Sequence, residues 1–183
     1  MSILAEASAT VIPTGTWSID PAHSAVEFHV KHLGLATVKG RAPVVSGTIV
    51  GGETSSIEGT VDVSSITTFD ENRDGHLQSP EFFDVARYPE LVFTSLRIAA
   101  EGDSLRVDGD LTIRGIMKPV TLEGTVVGTG SDPWGNERLG VDLEAVVDRT
   151  SWGLDWNAPL PGGGFLLPDR VKLTATFSAV RAA

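Results

Sequence analysis

The sequence contains no cysteine and few basic residues. The lack of cysteine excludes disulfide bonds, thiol nucleophiles and thiolate metal sites. Lysine and arginine together number 14 against 24 acidic residues, which gives a formal net charge of −10. Such a surface is repelled by phosphate backbones and anionic lipid headgroups, and no run of basic residues offsets it. We therefore expect no nucleic-acid partner.

Long apolar runs are also missing. No stretch approaches the roughly 20 apolar residues of a membrane helix, so we expect no stable membrane insertion. Residues 1–14 have neither a positively charged start nor an apolar segment of signal-peptide length, and this predicts a cytoplasmic protein. We expect residues 1–14 to form a flexible N-terminal tail and residues 15–183 to form one domain.

Alternation of apolar and polar residues dominates the rest of the chain. In residues 104–113, for example, Leu105, Val107 and Leu111 share one parity and Arg106 and Asp110 the other. This period of two is typical of strands with one buried face. It predicts about eight strands, near residues 25–31, 44–50, 56–66, 91–100, 104–113, 120–126, 139–147 and 171–179. The parity breaks at Ser95, where we expect a β-bulge.

No long amphipathic helix separates these segments, so the sheet should be antiparallel. Strands with one apolar face can form a two-sheet sandwich or a closed barrel. Gly47, Gly59, Gly109 and Gly124 all lie on the apolar parity of their strands, which favours the barrel. Glycines at such positions either permit sharp strand coiling or leave room inside for a ligand, and the sequence leaves both interpretations open.

The segment ENRDGHLQSPEFFD, residues 71–84, interrupts the pattern within a long connection between strands, residues 67–90. Ser79 is a good helix N-cap, and Pro80 suits the first helical position. We predict a short helix that begins there and ends before Pro89.

The residues available for catalysis are few. A metal site built from His32, His76 and Asp74 is conceivable, but no metal-binding motif such as HExxH accompanies it. No nucleophile elbow is present. A metal-assisted hydrolase or isomerase is therefore one alternative function, and a rigid interaction module without a small ligand is another.

Several short motifs are unusual enough to indicate a family. They are WSIDPAHS at 17–24, VKH at 30–32, RDGHL at 73–77, FFD at 82–84, GDLTIRG at 109–115, DPWGN at 132–136 and WGLDWN at 152–157. In this order they resemble the YceI-like family of lipocalin-like, polyisoprenoid-binding proteins. The resemblance covers residues 15–180, nearly the whole chain.

The resemblance implies an all-β fold, an extended eight-stranded antiparallel barrel, whose tunnel holds a polyisoprenoid, prenyl quinone or fatty-acyl chain. It also implies no catalysis, no cofactor and no metal, so the protein would carry or sequester its ligand. Many relatives carry a signal peptide, which we do not expect here. The sequence leaves a homodimer open.

On this arrangement the apolar tunnel should be lined by residues of the strands, of the 67–90 connection and of the C-terminal loops. They are Phe28, Val30, Gly59, Val61, Phe82, Phe83, Phe93, Gly109, Leu111, Ile113, Gly124, Leu143, Trp152, Phe165 and Leu173. His32, Arg73 and His76 are the candidates for contact with a polar headgroup. Arg73 and His76 could instead act only as a structural latch for the loop.

Overall fold

The computed structural model describes residues 12–183, in which ten β-strands form one antiparallel sheet. The strands are β1 Gly15–Ile19, β2 Ala25–His32, β3 Ala36–Ala42, β4 Val44–Gly51, β5 Ser56–Asp62, β6 Glu90–Glu101, β7 Ser104–Ile113, β8 Ile116–Ser131, β9 Glu137–Asp148 and β10 Arg170–Arg181. The helix α1 spans Glu71–Gln78, and single 3₁₀ turns span Pro21–His23, Val63–Ser65 and Arg149–Trp152.

These strands occupy eight positions around a closed barrel. β1 pairs with residues 179–181 of β10, and β2 pairs with residues 172–176 of the same strand. β1 and β2 are thus two halves of one long strand interrupted by the Pro21–His23 turn. β3 and β4 are halves of the next, broken at Pro43, which has no N–H to donate. The predicted eight-stranded antiparallel barrel is confirmed, and the bulge predicted at Ser95 is present between Ser95 and Arg97.

A short helix is present in the 67–90 connection, as predicted, but it lies before Ser79 and not after it, and residues 80–88 are not helical. α1 starts after Asp70, whose carboxylate accepts a hydrogen bond from the Arg73 backbone N–H at 2.9 Å. Ser79, predicted as the N-cap, lies at the C-terminal end, and its hydroxyl donates to the His76 carbonyl. Both residue types favour a helix N-terminus; here the cap at Asp70 is used, and Pro80 cannot donate to continue the helix.

The connection between β5 and β6 closes the side wall of the barrel. β5 pairs with β4 and ends at Asp62, so β3, which continues the line of β4, has no strand partner on that edge within residues 12–183. Beyond that point Arg41 of β3 forms two backbone hydrogen bonds of 2.9 Å with Thr67. Residues 63–89, including α1, therefore cover the gap between β3 and β6.

The interior is packed solidly at the end of the barrel opposite α1. The buried side chains there are Ile12, Trp17, Ile19, Val44, Ile49, Ile57, Leu105, Val107, Leu139, Val141, Leu143 and Ala179. These side chains form one contiguous apolar cluster, so any internal space must lie toward the other end.

Two of the sequence motifs form an ionic clamp at this packed end. Arg138 donates to Asp132 at 3.0 Å and to Asp20 at 2.9 Å. Hydrogen bonds from Asn136 and Arg138 lower the pKa of Asp132 to about 2, and those from Arg138 and His23 lower the pKa of Asp20. Because both carboxylates ionise more readily in the fold than in the unfolded chain, the clamp stabilises the fold above about pH 4 and its contribution fades as the pH falls toward 2.

Of the predicted tail, residues 1–14, the first eleven lie outside the described residues. Residues 12–14 pack on the barrel: Ile12 is buried, the Pro13 carbonyl accepts from the Trp17 indole, and the Thr14 carbonyl accepts from Arg181. These three residues therefore belong with the packed domain, because they cap the end of its core. Within residues 12–183 no helix has the length and hydropathy needed to cross a bilayer.

Candidate functional site

A cavity of about 590 Å³ occupies the half of the barrel next to α1. Its wall consists almost entirely of apolar side chains that continue the inward parity of the strands. The predicted tunnel residues in this wall are Phe28, Val30, Gly59, Val61, Phe82, Phe83, Phe93, Leu111, Ile113, Leu143, Trp152 and Leu173. A cavity of this volume is within the range of small-molecule sites.

Gly109 and Gly124 were predicted in the tunnel wall, but both lie outside it. A Cβ at Gly124 would come within 1.8 Å of the Asp142 carbonyl oxygen of the neighbouring strand. A Cβ at Gly109 would lie 2.5 Å from both the Phe93 ring and the Thr94 carbonyl oxygen. These glycines permit close backbone and ring approach, so they supply no internal space.

Gly59 is different, because it does line the cavity. A Cβ there would meet only the Ser46 carbonyl oxygen, at 3.5 Å, which is an ordinary contact distance. The two interpretations of the inward glycines therefore apply to different residues: close packing for Gly109 and Gly124, and open space for Gly59.

Phe165 was also predicted in the tunnel and is instead on the surface, with 65% of its area exposed. It lies in the loop between β9 and β10, where Pro159 and Phe165 form an isolated bridge. The next residues, Leu166 and Leu167, do line the cavity.

The paired phenylalanines of the 71–84 segment follow α1 rather than lying on a helix. Phe82 is buried and packs with Ile113, Trp152 and Leu154, and Phe83 packs against the same cluster. Both side chains form part of the cavity wall where the strands leave a gap.

Arg73 and Asp74 hold the loop that precedes α1. The Asp74 carboxylate accepts from both the backbone N–H and the hydroxyl of Thr68, at 2.7 and 2.6 Å. The Arg73 guanidinium donates to the Thr68 hydroxyl at 2.7 Å and to its carbonyl at 3.0 Å. Both side chains are therefore engaged in a latch, although Arg73 also borders the cavity.

His76 is likewise engaged with protein groups. Its Nε2 lies 2.5 Å from a carboxylate oxygen of Glu81, and its ring packs edge-on against Phe82 and Trp156. His32, His76 and Asp74 do not come together as a metal site. Among residues 12–183, no group of three or more His, Cys, Asp or Glu side chains is placed to hold a metal ion.

His32, the third polar candidate, lies in the cavity wall at the end of β2. Within the described residues its ring makes no hydrogen bond, whereas His23, His29 and His76 each contact a hydroxyl or carboxylate. Its imidazole is thus a polar group at the edge of the cavity that remains available to a ligand.

Arg149 is a cavity residue that the sequence interpretation missed. It is 6% exposed, and it donates to the carbonyls of Pro168, Leu154 and Trp156. Its Nη2 is buried and has no hydrogen-bond partner among the described residues, the nearest carboxylate oxygen being that of Asp169 at 3.7 Å. The sequence does contain a signal for this position, because Arg149 continues the inward parity of Leu143 and Val147.

His32 and Arg149 lie at the same level of the barrel. β2, which carries His32, and β9, which Arg149 directly follows, both pair with β10. When the two registers are extended by a few residues, His32 and Arg149 each lie opposite Asp169. The backbone N–H of Arg149 donates to the Asp169 carbonyl, and that of Leu33 donates to the Leu166 carbonyl. The cavity thus has an apolar body and a polar rim at the α1 end.

Comparison with known proteins identifies relatives in both sequence and structure. The model of the YceI-like domain matches residues 17–179. Protein YceI of Shigella sonnei is 37% identical over 129 residues, 68% of each chain, and that of Salmonella arizonae is 38% identical over the same length and the same shares.

Two solved structures have the same fold. BcnA of Burkholderia cenocepacia has a TM-score of 0.69 at 22% identity, over 87% of this chain and 98% of that one. A polyisoprenoid binding domain from Saccharophagus degradans, described as implicated in plant cell wall breakdown, has a TM-score of 0.66 at 16% identity, over 91% and 98%.

Proposed function

Because this chain belongs to the YceI-like family, we propose that it binds one long-chain apolar ligand in the barrel cavity. It carries or sequesters that ligand and does not transform it. The observation that carries the proposal is the cavity of about 590 Å³ with an almost wholly apolar wall, bounded at its inner end by a solid core.

The shape and polarity of the cavity favour a ligand bound tail first. Apolar area removed from water contributes about 25 cal/mol per Å², and the wall around Phe93, Leu143 and Leu173 offers a chain such contact without polar interruption. A headgroup would remain at the rim, where the ring of His32 and Nη2 of Arg149 can donate hydrogen bonds.

The ligand class that fits is an amphiphile with a long hydrocarbon chain, namely a polyisoprenoid, prenyl quinone or fatty-acyl compound. The description of the Saccharophagus degradans domain as polyisoprenoid binding supports the first of these. A non-catalytic role is supported by the contacts of Asp74 with Thr68 and of His76 with Glu81, which engage two of the three residues of the conceivable metal site.

The test is native mass spectrometry and organic extraction of freshly purified protein. We expect a co-purified long-chain lipid, or stoichiometric uptake of a prenyl quinone by delipidated protein. A bound metal ion without lipid would favour the hydrolase alternative. Folded protein that carries no lipid and takes up no prenyl quinone or fatty acid would refute the proposal.

The polar rim leads to a prediction about head selectivity. His32→Leu should weaken binding of a fatty acid by about three- to tenfold, because one hydrogen bond contributes about 0.5–1.5 kcal/mol. Binding of the matching alkane should be unchanged or slightly tighter. Isothermal titration with both compounds measures the difference.

His29→Leu is the matched control for that measurement. His29 lies on the same strand with its ring bonded to the Thr174 hydroxyl on the outer face, so its replacement should leave the preference for the fatty acid intact. Equal loss of fatty acid and alkane binding in His32→Leu would contradict a head contact at His32.

A further inference from the structure

Exposed apolar side chains surround the cavity rim. Leu33 and Leu35, in the turn between β2 and β3, are 45% and 81% exposed. The backbone hydrogen bond from Leu33 to Leu166 places this turn beside Phe165. Phe69, 91% exposed, immediately precedes Asp70 of the cavity wall. We call Leu33, Leu35, Phe69 and Phe165 the apolar rim.

Single exposed apolar residues are common on protein surfaces, but a group of them around a cavity opening indicates an interaction site. Two members, Leu33 and Phe69, have positive φ angles of 57° and 61°. Bulky residues rarely adopt this conformation, so the turns hold these side chains outward at a conformational cost.

A strip of basic residues lies on the outer face directly below the apolar rim. Lys31, Lys39, Arg170 and Lys172 line one groove across β3, β2 and β10, together with His29 and no carboxylate. Lys172 pairs with Glu144 at 3.0 Å. Lys31, Lys39 and Arg170 form no ion pair with any residue between 12 and 183. We call Lys31, Lys39, Arg170 and Lys172 the basic strip.

The basic strip lies next to the apolar rim, because its residues flank the same turn and the same loop. Lys31 lies two residues before Leu33 and Lys39 four residues after Leu35, on the two arms of one hairpin. Arg170 begins β10, directly after the loop that carries Phe165. Basic side chains beside exposed apolar ones are the combination that reversible binding to an anionic bilayer requires.

The overall charge of −10 does not oppose such local binding. At physiological ionic strength charges are screened beyond about 8 Å, so a surface responds to the groups close to it. The acidic neighbours of the basic strip are Glu27, Glu144, Asp148 and Asp169, of which Glu144 is paired with Lys172 and Asp169 faces Arg149.

We propose that the α1 end of the barrel docks on anionic phospholipid bilayers. The apolar rim enters the interfacial layer and the basic strip contacts the headgroups, so that the opening of the cavity faces the membrane. Docking goes beyond ligand binding and requires no occupant in the cavity.

The experiment is co-sedimentation with vesicles of phosphatidylcholine alone or with about one third phosphatidylglycerol. We expect the bound fraction of the wild type to rise about tenfold or more with the anionic lipid, and to fall as salt increases. Equal binding to neutral and anionic vesicles, or none to either, would overturn the proposal without the use of any variant.

Surface variants locate the contact. Lys31→Gln with Lys39→Gln, and Leu35→Ser with Phe69→Ser, should each remove most of the binding. Arg97→Gln and Trp134→Ser are matched controls, because Arg97 is an exposed cation on β6 and Trp134 is 82% exposed in the turn between β8 and β9 at the opposite end. Retained binding in the rim or strip variants, or loss in the controls, would contradict the assignment.

Two further measurements separate this proposal from others. A variant with a filled cavity, Gly59→Leu, should still dock, so failure of ligand binding and failure of docking are distinguishable. Polyglutamate as a competitor tests an acidic polypeptide partner. If it binds in a Lys31- and Lys39-dependent way while vesicles do not bind, the basic strip serves a protein and membrane docking is wrong.

Discussion

Gly59→Leu is expected to reduce uptake of a long-chain ligand at least tenfold while the barrel remains folded. The new side chain projects into the cavity, where its first atom meets only the Ser46 carbonyl oxygen at 3.5 Å. It therefore occupies volume that the ligand needs without displacing the backbone. A tenfold loss corresponds to about 1.4 kcal/mol of binding free energy, and fluorescence titration with a polyene fatty acid measures it.

Gly124→Leu is the counterpart, and it should fail in another way. Its Cβ would collide with the Asp142 carbonyl oxygen, so β8 and β9 would have to separate. We expect the free energy of unfolding to fall by about 3 kcal/mol or more. Unchanged affinity in a folded Gly59→Leu protein, or unchanged stability in Gly124→Leu, would contradict this account of the inward glycines.

Trp152→Ala should cost about 3–5 kcal/mol of unfolding free energy, as large-to-small aromatic substitutions in cores do. Trp152 is 2% exposed, packs with Phe82 and Leu154, and donates its indole N–H to the Leu111 carbonyl at 3.0 Å. For a domain of this size the melting temperature should fall by about 10 °C or more. Urea unfolding monitored by circular dichroism gives the free energy directly.

Phe165→Ala is the matched control, since both aromatics lie in the β9–β10 connection and both resemble tunnel residues in the sequence. With 65% of its area exposed, Phe165 should contribute no more than about 0.5 kcal/mol to stability. Comparable losses in the two variants would mean that the loop packs differently from the arrangement described.

The 67–90 connection shows how far local sequence signals reach. Ser79 and Pro80 predict a helix that begins there, whereas the helix that is present ends at Gln78. The paired phenylalanines, predicted to line the tunnel, do form part of the cavity wall. Asp70 and Ser79 are both suitable N-cap residues, and the eight residues of α1 lie between them. Asp70 is the cap that is used, and Arg73 and Asp74 fix the start of the helix to Thr68. Residue-type preference alone did not distinguish the two caps.

The polar rim shows the same limit. His32 continues the inward parity of Phe28 and Val30 in β2, and the same parity rule extended along β9 selects Arg149. The parity rule does not distinguish a charged side chain that is exposed at the end of a strand from one that the following loop buries. The carbonyls of Leu154, Trp156 and Pro168 that hold Arg149 come from residues beyond the strand.

The sequence by itself indicated one strand at each of the eight barrel positions, the bulge at Ser95 and the family, because alternation with a period of two and short motifs are local properties of the chain. It did not indicate β1 and β3, which share two of these positions with β2 and β4. Only the tertiary structure decided that Gly59 opens space while Gly109 and Gly124 permit close approach, and that Phe165 faces solvent. It alone brought Lys31, Lys39, Arg170 and Lys172 onto one groove. The physical reason is that strand register and barrel closure set which residues of distant segments face one another, and no local pattern encodes that pairing.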